Sequence, residues 1–119
     1  MIKMTAAINL FHILVVVPIL FLIYAKRKSL PNWACRALLI TGIVGIMYHA
    51  YKLITLKPDE RWKDWIFIIH IAIIFPLFIY IGARCTSTPR KYFEMSLVLA
   101  FAALGYHSYN LIKYNILKQ

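Results

Sequence analysis

Four apolar runs dictate what this chain can fold into: residues 8–25, 37–56, 65–83 and 93–114. Each is about 18 to 22 residues long, the length at which a helix rising 1.5 Å per residue crosses roughly 30 Å of hydrocarbon. The composition agrees, because 62% of the 119 residues are hydrophobic and the mean hydropathy is +0.71. A water-soluble domain needs a polar surface comparable in extent to its core. A segment inside a bilayer has to satisfy its own backbone hydrogen bonds, which helices do; strands would show alternating polarity and would need a closed barrel.

The runs are related in pairs. His12 recurs as His70, Pro18 as Pro76, Pro31 as Pro89 and Tyr48-His49 as Tyr106-His107, each 58 positions on and without a gap. The same register matches Ile8 with Ile66, Tyr51 with Tyr109 and Leu53 with Leu111. Chance apolar similarity would scatter Ile and Leu matches without aligning every histidine. The pattern predicts a tandem duplication, with repeat one at about residues 8–56 and repeat two at about 66–114.

Each repeat holds two crossings, so both copies enter the membrane from the same side and the termini share a side. The expected fold is an all-α integral membrane protein: one membrane domain, 1–119, with four transmembrane helices in a bundle. It is built from two parallel tandem helical-hairpin repeats about a pseudo-two-fold axis along the membrane normal. Loops are expected at residues 26–36, 57–64 and 84–92, with Trp62 and Trp65 as interfacial anchors. The first run reads as a permanent span and not as a cleaved leader. No small-x-small site separates its core from Lys26-Arg27-Lys28, and its counterpart at 65–83 is internal.

A net charge of +10 would suggest nucleic acid in a soluble protein. Here the basic residues cluster at span ends, so the expected partners are anionic lipid headgroups and no nucleic acid is implied. Lys3, Lys52, Lys57, Arg61, Lys63, Lys113 and Lys118 fall on one side; Lys26, Arg27, Lys28, Arg36, Arg84, Arg90 and Lys91 fall on the other. This even split decides no orientation. The dense cluster at Lys26, together with Asp59, Glu60 and Asp64 diluting the opposite side, leans toward non-cytoplasmic termini. Cys35 and Cys85 lie near one face but at non-equivalent repeat positions and without CxxC spacing. A bridge between them is geometrically open, and free thiols are expected.

The histidines carry the chemistry. His12, His49, His70 and His107 fall one per helix at similar depth, where an ionisable group is costly unless it faces the bundle interior and finds partners. Gly42, Gly45 and His49 share one helical stripe, and Ala100, Ala103 and His107 form its counterpart. Small residues there admit a neighbouring helix or a flat cofactor. Tyr48 and Tyr106, with Tyr51 and Tyr109, flank the paired histidines, either to hold an imidazole tautomer or as ordinary interfacial aromatics. Pro18 and Pro76 should kink both copies alike.

Three functions fit this pattern. Imidazoles from facing helices would ligate haem b or a transition-metal ion, with His49 and His107 the leading ligands, in a redox or sensing role on one side of the membrane. A titratable histidine constriction would instead pass protons or cations, and a pore through so tight a bundle points to a homo-oligomer. No Asp or Glu lies centrally in any span, Glu94 opening the fourth, so carboxylate-coupled transport is disfavoured. The histidines would otherwise only hydrogen-bond helices together in an assembly protein without a ligand. No phosphate-cradling loop, HExxH or GxSxG motif suggests soluble-enzyme chemistry.

Overall fold

A computed structural model of the chain describes residues 4–116. Among them no strand occurs, and four helices are long and apolar enough to cross a membrane: Thr5–Ser29, Asn32–Ile54, Pro58–Ser87 and Arg90–Tyr114. The first and third overrun the predicted spans at both ends and the fourth at its start, while the second starts early and stops at Ile54, and the predicted loops shrink to a few residues. Leu30-Pro31 separates the first two helices and Thr88-Pro89 the last two. Part of each expected loop is 3-10 helix instead, at Arg27–Ser29, Pro58–Lys63 and Cys85–Ser87. Charged residues were read as loop, yet a helix can carry them on into the headgroup layer. Proline then marks the restart, as at Pro31, the extended cap before the second helix.

Both mid-helix prolines, Pro18 and Pro76, are accommodated in the same way. A proline ring collides with the carbonyl four residues back and offers no N–H. The preceding turn widens: His12–Val16 and His70–Ile74 are π-helical, with Val17 N–H bonding the carbonyl of His12 and Phe75 N–H that of His70. Where a simple kink was expected, each helix has a π-turn that starts at a histidine. Such turns concentrate at functional positions.

The helix ends after these segments also recur 58 residues apart. Arg27 has φ 45° and Cys85 has φ 51°, the two positive-φ non-glycine residues among those described. A Cβ in this region costs about 1–3 kcal/mol. Arg27→Gly is therefore expected to raise stability, by about 1 kcal/mol after glycine's entropic cost, read as a higher melting temperature in detergent. A lower one would mean that the Arg27 guanidinium, 4.8 Å over the Tyr24 ring, contributes more than the backbone strain costs.

The chain divides into two compact units, Met1–Arg27 with Phe93–Gln119, and Lys28–Tyr92. The first joins the outer helices. Ser96, fully buried, donates its hydroxyl to the carbonyl of Leu20 at 2.9 Å, and Phe21 meets Phe101 edge to face. A buried polar side chain in an apolar helix needs such a partner, and an interhelical bond of this kind is worth roughly 0.6 kcal/mol in a membrane.

The second unit packs the two central helices through glycine. A Cβ on Gly82 would stand 2.6 Å from the backbone nitrogen of Leu39 and 2.7 Å from the carbonyl oxygen of Cys35. One on Gly42 would stand 3.0 Å from the carbonyl oxygen of Phe75, and one on Gly45 would collide with the edge of the Phe75 ring. This close approach brings Cys35 and Cys85 together as a disulfide, Cα atoms 5.5 Å apart, where free thiols were expected. Fifty residues of chain separate the two, and the close contact of Gly82 with the backbone of Cys35 and Leu39 lies beside the bridge.

Large apolar side chains stay on the outside, among them Leu14 at 67%, Ile40 at 62% and Val98 at 66% exposure. An apolar surface of this extent is compatible with contact to lipid.

Candidate metal site

Each unit holds one pair of stacked imidazoles. In the unit of the outer helices, His12 lies against His107 with ring centroids 4.1 Å apart and planes 16° from parallel. In the unit of the central helices, His49 lies against His70 at 4.5 Å and 9°. The two pairs use equivalent positions of the 58-residue register, since His12 corresponds to His70 and His107 to His49.

The orientation of each ring follows from the chemistry of its Nδ1 partner. His12 Nδ1 lies 2.8 Å from the carbonyl oxygen of Ile8, His49 Nδ1 2.8 Å from that of Gly45 and His70 Nδ1 2.6 Å from that of Ile66. A carbonyl oxygen only accepts, so Nδ1–H is the donor in all three, and in the neutral ring this leaves the lone pair on Nε2. This is the arrangement by which outer contacts set the tautomer of a metal-ligating histidine. The fourth ring differs: His107 Nδ1 donates to the side-chain oxygen of Asn9 at 2.9 Å, both residues being buried.

Asn9 and Phe75 were missed in the sequence. Asn9 carried a signal, as a polar residue amid an apolar run one turn before a histidine; its counterpart is Phe67, which tilts against His49 at 6.1 Å. Phe75 carried none, being one apolar residue among many. Its ring approaches His49 at 4.8 Å and His70 at 5.9 Å, closing one side of that pair. Val17 is its counterpart, so the two pairs share ring geometry and differ in their surroundings.

Of the remaining expected residues, Gly42 and Gly45 receive Ile79 and Phe75, so a helix occupies that stripe. Ala100 is fully buried and Ala103 half-buried. Tyr48 and Tyr106 set their rings edge-on to the adjacent histidine, at 5.3 Å and 5.1 Å. Tyr48, Tyr51 and Tyr109 are more than half exposed, as interfacial aromatics are, and the Nδ1 partners are carbonyls and Asn9, not phenols.

Chemically, each pair brings two imidazoles side by side, and imidazole as a ligand type suits zinc, copper, iron or nickel. Among the described residues no cluster of three or more His, Cys, Asp or Glu side chains forms a metal-binding group. Two imidazoles are at most half of a tetrahedral set. A porphyrin sandwiched between the members of one pair does not fit, because the stacked rings are already close to contact. Compared with protein families, with curated proteins and with solved structures, the chain finds no match.

Proposed function

We propose that this is a multi-pass membrane protein of two parallel tandem hairpin repeats, a single membrane domain, that binds transition-metal ions at its paired imidazoles. The duplication is supported by the recurrence, at one offset, of the π-turns, the positive-φ helix ends and the histidine pairs. The observation that carries the metal reading is the Nδ1–H donation of His12, His49 and His70 to backbone carbonyls, which in neutral rings makes Nε2 the coordinating nitrogen. A bound ion would act there as a Lewis acid or a one-electron centre. The chain's own part is to hold the rings in one tautomer and, with Phe75 and the apolar helices, to keep water from the pair.

The same donation disfavours proton relay, because an imidazole that passes protons has to release Nδ1–H, and here that proton is committed to the ring's own helix.

The test is metal analysis and an absorption spectrum of purified protein, followed by titration of metal-stripped protein with zinc, copper and nickel. Two ions per chain, one for each imidazole pair, are expected, with submicromolar affinity. A Soret band would replace the bare ion with haem b, ligated otherwise than by one stacked pair. Protein that binds no metal and is colourless would leave the histidines as interhelical hydrogen bonds and end the proposal.

A further inference from the structure

The disulfide offers what the charge count withholds, a physical reason to choose one orientation. Cys35 lies one turn inside the start of the second helix and Cys85 just before the end of the third, so the bridge ties those two helix ends together. His49 lies fourteen residues further along the second helix, and His70 fifteen residues before Cys85 on the third. At 1.5 Å per residue, the His49–His70 pair lies about 20 Å along the helices from the bridge, toward the opposite membrane face. If each helix crosses once, the start of the first helix at Thr5 and the end of the fourth at Tyr114 fall on that opposite face as well.

Lys and Arg divide evenly between the two faces, so they set no direction. The cluster Lys26-Arg27-Lys28 on the disulfide side favours the cytosol for that side. A cystine bridge pulls the other way with a chemical argument: glutathione and thioredoxin keep thiols reduced in the cytosol, and structural disulfides persist in oxidising compartments. Cys35 is buried, and Thr88, packed over the same corner, donates its hydroxyl to the carbonyl of Cys85 at 2.7 Å. The bond thus sits in built structure and not on a loose loop.

We infer that the membrane face carrying Cys35–Cys85 looks into an oxidising compartment, so that the termini and the histidine-bearing helix ends face the reducing, cytosolic side. This reverses the orientation to which the basic cluster leans. It rests on the membrane-spanning reading and stands whether or not the imidazoles hold metal. If they do, the ion comes from the cytosolic pool.

The experiment uses the full chain in a bacterial inner membrane and two measurements. Cells are quenched in acid and treated with a maleimide-polyethylene glycol before and after reduction. A gel shift of two reagent units is expected only after reduction. In parallel, the C-terminus carries either green fluorescent protein, which matures in the cytosol, or alkaline phosphatase, which is active only outside it. Fluorescence without phosphatase activity is expected. Cysteines that react without reductant, or an active phosphatase fusion, would each overturn the inference. Neither readout involves metal, so its failure is separable from failure of the metal site.

Discussion

Protein in which His49 and His107 are both replaced by alanine is expected to purify without bound metal, while each single replacement leaves half. The two residues belong to different pairs, His107 stacked on His12 and His49 on His70. Removing one ring from a two-imidazole site takes away half its protein ligands, a larger loss than the roughly 10–100-fold that follows from deleting an outer hydrogen-bond partner. Asn9→Leu supplies that milder case. It removes the acceptor for His107 Nδ1–H, and is expected to weaken only the His12–His107 site, by about 10–100-fold, leaving the other titration unchanged. The steps in stoichiometry are what matter, measured by isothermal titration on metal-stripped protein. Complete loss on a single replacement would mean that all four histidines serve one ion, and no change in the double variant would remove the imidazoles from metal binding altogether.

Gly82→Ala and Gly105→Ala should move stability in opposite directions although the chemical change is identical. At Gly82 the new methyl would meet the nitrogen and Cα of Leu39 and the carbonyl of Cys35, all backbone, within 2.9 Å. Backbone in a helix has no rotamer by which to withdraw, so the two central helices have to part. Overpacking of this kind costs about 1–3 kcal/mol, and here the upper end is expected because the disulfide holds the same helix ends together. At Gly105 nothing lies within 4 Å of the added methyl. There alanine's better helix propensity should stabilise by up to about 1 kcal/mol. Thermal melts followed by circular dichroism in one detergent would check the pair. Equal shifts would show that glycine at 82 is not needed for close approach.

The larger frame was legible in the residues. Four apolar runs of bilayer length, separated by charge and proline, leave a chain no alternative to helices once backbone groups have to be satisfied in the absence of water. The spacing of His12 and His70, and of His49 and His107, likewise placed one histidine on each helix. Boundaries were read less well, because charge at a span end was taken for loop while the helices at Lys26 and Arg84 run on through their charged ends.

The pairing of the histidines, the Cys35–Cys85 bond and the part played by Asn9 are of another kind, and only the tertiary structure decided them. Periodicity says which residues share a face of one helix, and nothing about which two faces meet. That choice falls to shape: Gly42, Gly45 and Gly82 let the central helices approach closely, and Ser96 finds the carbonyl of Leu20 between the outer ones. Contacts of this sort join residues that are 50, 76 or 98 positions apart. A local pattern has no reach over such distances, so the sequence on its own named the helices and the groups they carry, and packing determined which of those groups touch.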